Sequence, residues 1–426
     1  MRNFLLKNKS SFYHSSAVLI KALSGPVTFV LLAENLTETE QGLFFAFISL
    51  GALQILFEAG ISTSLVQHLS SEKELFGRSD KYYGFLKIGF LWCSISALGL
   101  LCLAMVVSNY IFADFSPEDW WGSFFAYVLA VGVNLLFSFV YIVAEGEGDI
   151  EFVYRTRFLG ALTSIFMLWF SLFSGFQLYT LALSQFGLLL PLVLNKKAWL
   201  FFVSCRGYGK VAVAPAFGEI IGFQSRLAVV WITGYLYWHS PVLIIFKFVD
   251  PVYAGKFGLT FSLMNAVSQV GQGWVMTQRV LMGKLVTSGD EEGAHKLFNL
   301  RALVSTGLVF LSLSALGFLK YTFTDFLFFS RTLDELSFIC MALYFLILTH
   351  LANLATYSRC FKQEPLFGLF IVMNISVPFV LYYYGVSGDV HVGLAVAGAM
   401  HLFFILFAQL KMNRFLNYYW AGYNKV

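Results

Sequence analysis

Long intervals without a charged residue constrain this chain more than any other feature of its sequence. Each exceeds the roughly 20 residues that cross a hydrocarbon core as a helix. Because a backbone in lipid must satisfy its own hydrogen bonds, such intervals are expected to fold as transmembrane helices. The sequence therefore predicts an all-α polytopic membrane protein. The intervals lie between Lys87 and Asp114, Asp119 and Glu145, Lys256 and Arg279, Glu335 and Arg359, and Glu364 and Asp389.

The composition supports this class and sets the number of spans. Charged residues make up 12% of the 426 residues and hydrophobic residues 58%, whereas soluble domains carry about 25% charged residues. About twelve spans are predicted, the seventh of them kinked near Ser240. They cover residues 13–33, 42–66, 85–109, 121–144, 156–174, 178–195, 217–247, 252–277, 302–319, 336–357, 366–384 and 391–411.

The distribution of Lys and Arg predicts the orientation. With a cytoplasmic N-terminus, 21 of the 28 basic residues fall on the cytoplasmic side and four on the opposite side, while three lie within spans or at their edges. This bias follows the positive-inside rule, so both termini are predicted to be cytoplasmic. The net charge of +4 is then a topology signal, and no nucleic-acid partner is predicted.

The two halves of the chain resemble each other. A shift of 213 residues superposes five identical residues of the second span on the eighth, among them Gly42 on Gly255 and Gly60 on Gly273. Six spans per half give both halves the same orientation, which places a substrate site at their interface. We therefore predict two six-helix lobes, residues 1–210 and 211–426, joined by a basic cytoplasmic linker.

Two cations lie inside predicted spans, Lys21 in the first and Arg226 in the seventh. A charge at mid-membrane costs roughly 3 kcal/mol or more and usually faces a protein interior or a water-filled cavity. The two side chains are therefore candidate ligands for an anion. In the alternative interpretation they are structural ion pairs, with Glu58 neutralising Lys21 and Glu219 neutralising Arg226. Glu58 and Glu219 are also candidates to carry a proton.

Polar side chains recur along several spans at helical spacing. They are candidate lining residues of a polar path, because amides and hydroxyls offer both donors and acceptors. For any single residue, packing between helices is the competing interpretation. The candidates for the lining are Thr28, Gln54, Gln224, Asn265 and Gln272. Glu58 and Ser62 share a face of the second span with Gln54, Ser268 shares one of the eighth span with Asn265 and Gln272, and Thr349 and Asn353 belong to a face of the tenth span.

Signatures of enzymes and cofactor sites are missing from the sequence. It contains no P-loop, no HExxH, no GxSxG and no GxGxxG after a strand. The five cysteines are scattered and the seven histidines do not cluster. We therefore predict no catalytic residue, no metal and no cofactor. Transport would be driven by an ion gradient or by consumption of the substrate.

Three segments of the sequence are similar to bacterial O-antigen translocases, which belong to the multidrug/oligosaccharidyl-lipid/polysaccharide exporter superfamily. They are GLFFAFISLGALQILFEAGISTSLVQ from Gly42, EIIGFQSRLAVVWITGY from Glu219 and AGKFGLTFSL from Ala254. The resemblance implies a central cavity between two lobes, alternating access and a place in the bacterial inner membrane. It also implies a substrate, an oligosaccharide linked to undecaprenyl pyrophosphate.

Residues and resemblance together give one functional hypothesis. The chain flips a lipid-linked O-antigen or similar repeat unit to the periplasmic leaflet, with Lys21 and Arg226 binding the pyrophosphate. The bilayer and other membrane proteins of polysaccharide assembly are the candidate partners. One alternative is a drug antiporter of the same superfamily. The other is a membrane-embedded glycan polymerase or acyltransferase, which should carry a large polar loop or a buried acid–base cluster.

Overall fold

The computed structural model describes residues 9–76, 79–204, 214–323, 325–361 and 363–423. These residues form α-helices and no strand, as predicted for an all-α chain. The helices are α1 Lys9–Asn35, α2 Glu38–Gly51, α3 Gln54–Glu58, α4 Ile61–Phe76, α5 Asp80–Ile111, α6 Pro117–Gly146, α7 Ile150–Phe173, α8 Tyr179–Val193, α9 Lys196–Ser204, α10 Ala214–Trp238, α11 Ser240–Phe248, α12 Pro251–Met276, α13 Arg279–Thr287, α14 Glu291–Thr322, α15 Leu327–Ser330, α16 Glu335–Arg359, α17 Phe367–Val386 and α18 Val390–Tyr423.

Polar side chains mark where the apolar helices begin. Thr37 and Glu40 form a reciprocal capping box at the start of α2. Ser79, Asp149 and Asp334 each accept a hydrogen bond from the backbone N–H three residues later. Such caps satisfy N–H groups that a helix leaves unpaired in its first turn. The helices therefore start in the polar connections that the charge pattern predicted.

Eight helical segments within the described residues are long and apolar enough to cross a membrane. A ninth is present if Ala228–Trp238 and Ser240–Phe248 count as one broken span, which matches the predicted kink in the seventh span. The apolar helix α8 and the long helices α1 and α12 cover the remaining predicted spans. The chain is thus a polytopic helical membrane protein.

The chain divides into two compact units between His239 and Ser240. In the first unit α7 packs along α1 and α8, and α5 packs along α6. A cluster of buried side chains that includes Leu65, Phe85 and Phe139 joins α4, α5 and α6, and Ile220 of α10 belongs to it. Helix α10 therefore packs with the first unit. The predicted lobes, 1–210 and 211–426, remain a prediction.

In the second unit, α12 is packed against α14 and α16, and α16 packs along α18. The closest approach lies at Gly271 of α12, where an added Cβ would be 2.3 Å from Val309 Cγ2 and 3.0 Å from the Ser305 carbonyl oxygen. The absence of a side chain at Gly271 lets the α12 and α14 backbones approach this closely.

Candidate functional site

The second span is interrupted at mid-length. The sequence predicted a span over residues 42–66, and the structure divides this segment into α2, α3 and α4. Ala59 and Gly60 adopt left-handed backbone angles, with φ of 45° and 79°, and such residues end a helix. The predicted span is confirmed, because the whole segment Glu38–Leu75 qualifies as one span, but the sequence did not reveal the interruption within it.

The interruption is stabilised by side chains of α5. Trp92 Nε1 donates to the Phe57 carbonyl oxygen at 2.8 Å, and Ser96 Oγ donates to the same oxygen at 3.2 Å. A carbonyl released from helical pairing inside a membrane must find another donor. The residues Trp92 and Ser96 were missed by the sequence analysis, because nothing in an apolar span reveals which neighbouring carbonyl it faces.

Glu58 is the last residue of α3, directly before the interruption. Its side chain is half-buried, and its Oε1 accepts a hydrogen bond from Ser62 Oγ at 2.7 Å. Ser62 lies beyond the break, in α4. The predicted polar face of the second span therefore persists across the interruption.

Within the first unit, the seventh span packs against this interruption. A Cβ on Gly60 would lie 2.5 Å from Trp231 Nε1, so the indole of Trp231 packs directly on the Gly60 backbone. Tyr235 Oη donates to the Ser49 carbonyl oxygen at 3.2 Å, one turn further along α10. Helix α10 is thereby held beside the segment that carries Glu58.

The two predicted anion ligands lie at corresponding positions in their helices. Lys21 is the thirteenth of the 27 residues of α1, and Arg226 is the thirteenth of the 25 residues of α10. At 1.5 Å per residue, each is about 18 Å from the start of its helix. Their side chains, and that of Gln224, lie outside the part of the structure that is described.

Glu219 forms an ion pair near the start of α10. Its Oε1 is 2.8 Å from Lys81 Nζ at the start of α5, and Lys81 is also 3.6 Å from Glu72. The Glu219 side chain is 46% exposed. This position is well before Arg226 in the helix. Lys81 is a partner that the sequence analysis did not identify, because the two residues are 138 positions apart.

The remaining predicted lining residues of the first unit differ in their contacts. Thr28 Oγ1 accepts from Trp169 Nε1 at 2.9 Å and donates to the Ser24 carbonyl oxygen at 2.8 Å. This arrangement joins α1 to α7. Gln54 is half-buried, and its amide has no hydrogen bond to the described residues. The amide of Gln54 is therefore available to form hydrogen bonds with another partner, whereas the hydroxyl of Thr28 already donates one hydrogen bond and accepts another.

The second unit contains a buried chain of hydrogen bonds between α12 and α16. Thr349 Oγ1 donates to the Phe345 carbonyl oxygen at 2.8 Å, so Ser268 Oγ, at 2.7 Å, must donate to Thr349. Gln272 Nε2 in turn donates to Ser268 Oγ at 2.9 Å. Asn265, two turns before Gln272 along α12, is half-buried and has no hydrogen bond to the described residues.

A second polar contact joins α16 to α14. Asn353 Nδ2 donates to Ser305 Oγ at 3.0 Å, and both side chains are buried. Within the described residues, no group of three or more His, Cys, Asp or Glu side chains could hold a metal ion. The polar groups that join α12, α14 and α16 at these contacts are neutral amides and hydroxyls.

Comparison with known proteins identifies the fold. No model of a protein family and no curated protein matches the chain. Among solved structures, the inward-facing conformation of a multidrug resistance MATE family transporter of the MOP superfamily aligns with a TM-score of 0.66. The alignment has 10% identity and covers 93% of this chain and 95% of that chain.

Two further structures give the same result. The lipid II flippase MurJ, in an inward closed conformation, aligns with a TM-score of 0.65 and 14% identity over 93% of this chain and 87% of that chain. A MATE transporter of Vibrio cholerae aligns with a TM-score of 0.58 and 10% identity over 96% of each chain. At these identities the likeness establishes the fold alone, which this chain shares with the two MATE transporters and the MurJ flippase.

Proposed function

We propose that this chain is a flippase that moves a saccharide linked to undecaprenyl pyrophosphate from the cytoplasmic to the periplasmic leaflet of the bacterial inner membrane. The fold supports transport, since it is shared with the lipid II flippase MurJ and with MATE transporters. The substrate class rests on the resemblance to O-antigen translocases and on the charges within the spans.

One observation carries the proposal: cations lie halfway along α1 and α10. A pyrophosphate headgroup is an anion that must cross the apolar core, where an unpaired charge is unfavourable. Ammonium and guanidinium groups form charge-assisted hydrogen bonds with phosphate oxygens. Lys21 and Arg226 would lower the barrier to crossing by binding the headgroup at mid-depth.

Glu58 would act together with Arg226. Helix α10 packs against α3 and α4, and Glu58 has only Ser62 as a hydrogen-bond donor among the described residues. A carboxylate there would balance the basic side chains when no substrate is bound, or would carry a proton during the cycle. Glu219 is bound to Lys81 and lies closer to the helix start, so we assign the balancing role to Glu58 first.

Gln54 and Asn265 are the candidate contacts to the sugar and headgroup. Both amides are half-buried and free of hydrogen bonds to described residues, so each offers two donors and an acceptor. Gln272 and Thr28 hold neighbouring helices together and would contribute less to binding. We also propose Gln224 as a contact to the sugar or headgroup, because it lies two residues before Arg226 in the sequence.

A drug antiporter is the second candidate, because two of the three aligned structures are MATE transporters. Such a protein would favour acidic groups for cationic cargo. At mid-span the present chain carries Lys21 and Arg226 against Glu58, since Glu219 lies near the start of α10 and is paired with Lys81. This balance favours an anionic headgroup over a cationic drug.

The experiment is complementation of a strain that lacks the gene, with surface glycan measured on gels and protein levels measured in membranes. Lys21→Ala and Arg226→Ala are expected to reduce surface glycan by at least tenfold, since losing one charged ligand costs about 1.5–3 kcal/mol. Lys21→Arg should retain activity. Lys284→Ala, an exposed lysine of α13, is the matched control and should retain normal glycan.

Two results would contradict the proposal. Normal glycan in both alanine variants would remove the anion-binding role. A deletion strain with unchanged glycan but raised sensitivity to cationic drugs, reversed by the wild-type gene, would support the antiporter instead.

A further inference from the structure

A polar cleft lies in the first unit, at the ends of the helices that are predicted to face the outside. It encloses about 430 Å³, within the range of roughly 300–1,000 Å³ typical of small-ligand sites. The starts of α2, α6 and α8 converge on it. Buried Leu43, Ser123 and Leu178 lie beneath exposed polar side chains at its rim.

Four rim residues have hydrogen-bonding groups that are not used within the protein. Among the described residues, the side chains of Glu118, Asp119, Gln177 and Tyr179 form no hydrogen bond or ion pair. Glu40 also borders the cleft, but its carboxylate is occupied by Thr37 in the capping box. The free groups comprise two carboxylate acceptors, an amide and a phenol.

The aromatic rings give the cleft an apolar side. Phe115 and Tyr179 both line it, and Tyr179 is held in place by packing against α6, where a Cβ on Gly122 would be 2.6 Å from Tyr179 Oη. An aromatic ring beside hydrogen-bonding groups suits a ligand with one apolar face and a polar edge. Sugar rings have this character, with C–H faces and hydroxyls that both donate and accept.

The charge of the cleft limits the type of sugar. The lining includes Glu40, Glu118 and Asp119 but no Lys, Arg or His. Carboxylate groups repel an anion, and no basic side chain in the lining offsets them. An acidic sugar is therefore disfavoured, while a neutral or amino sugar can accept hydrogen bonds from the amide and donate to the carboxylates.

We propose that this cleft is a docking site for a non-acidic sugar residue on the external face of the protein. The inference rests on the proposed function, because a translocated saccharide headgroup would emerge on this side. The cleft would hold the sugar transiently while the lipid part of the substrate leaves the spans.

The test is saturation-transfer NMR on the full chain in lipid nanodiscs. The probe is the oligosaccharide pool released by mild acid from the producing strain's own surface glycan. Wild-type protein should transfer saturation to the sugar ring protons. The double variant E118Q/D119N and the variant Tyr179→Phe should each reduce the transfer about fivefold or more, as the loss of one or two hydrogen bonds predicts. Asp325→Asn, which changes an exposed carboxylate that does not line the cleft, should not change it.

Absence of transfer from the wild type to the sugar, or full transfer from both cleft variants, would overturn the proposal. A different result would also overturn it: calcium chloride raises the Tm of the wild type but not of E118Q/D119N, and no sugar signal is seen. The cleft would then be a cation site. The assay needs no transport. Its failure therefore leaves the glycan complementation of Lys21→Ala and Arg226→Ala as a separate test of the flippase.

Discussion

At the scale of single residues, Lys320 shows how a lysine can be buried at the end of a membrane helix. The side chain is 9% exposed, and its Nζ donates to Thr332 Oγ1 at 2.8 Å and to the carbonyl oxygens of Leu333 and Phe329 at 2.7 and 3.2 Å. The Phe338 ring lies 5.2 Å away in a cation–π contact. All three ammonium protons are satisfied, so Lys320 ties the loop before α16 to the end of α14.

Replacing this lysine should destabilise the second unit. In Lys320→Met three acceptors lose a charged donor, and a bond of this kind contributes about 1.5–3 kcal/mol. We expect the Tm of the purified protein to fall by several degrees, measured by intrinsic fluorescence in detergent. Lys284→Met, which removes an exposed lysine of α13, is the control and should leave the Tm unchanged. Equal Tm values for both variants would mean that the Lys320 contacts contribute nothing.

At the scale of helices, Gly60 and Gly273, which the 213-residue shift superposes, have different roles. Gly60 ends a helix in the second span with φ of 79°, whereas Gly273 lies within the continuous helix α12. In the second span Glu58 and Ala59 precede the glycine, and the left-handed turn starts at Ala59. Positions that the 213-residue shift superposes thus hold a break in the second span and a continuous helix in the eighth.

The packing of α12 on α14 gives a matched pair of variants. Gly271→Ala would place a methyl group 2.3 Å from Val309 Cγ2 and 3.0 Å from the Ser305 backbone. Overpacking of this kind costs about 1–3 kcal/mol, so we expect a lower Tm. Gly273→Ala, two residues along the same helix, meets no atom within 4 Å and should be neutral or slightly stabilising. A Tm for Gly271→Ala at or above that of Gly273→Ala would contradict the close approach of α12 and α14.

At the scale of the whole molecule, the distribution of basic residues predicts one topology. The connection that carries Asp389, between α17 and α18, should be external, and the start of α14 at Glu292 should be cytoplasmic. Both side chains are exposed. The physical basis is the excess of Lys and Arg that stays on the cytoplasmic side during insertion.

Cysteine labelling in intact cells measures this topology. After the five native cysteines are replaced, Asp389→Cys should react with a membrane-impermeant maleimide, and Glu292→Cys should react only after the cells are opened. The reverse pattern would invert the topology and move the sugar cleft to the cytoplasmic side. Labelling at both positions would show that the number of spans between them is wrong.

The membrane spans were predictable because each depends on a local property. Residues 85–109 and 121–144 are apolar over a sufficient length, and they lie within α5 and α6. The candidate site was only partly predictable. Glu58 and Ser62 were placed on one face by their spacing, and their side chains are hydrogen-bonded. The pairing of Glu219 with Lys81 was missed, since it depends on which helices are adjacent.

The sequence by itself determined the class of this protein, the positions of most spans and the presence of charges inside them, because hydrophobicity and charge act over the length of one helix. Only the tertiary structure decided that the second span breaks at Ala59 and Gly60, that Trp231 covers the break and that Thr28 bonds to Trp169. Those features depend on which donor, ring or carbonyl a neighbouring helix presents, and that is fixed by packing between segments far apart in the chain.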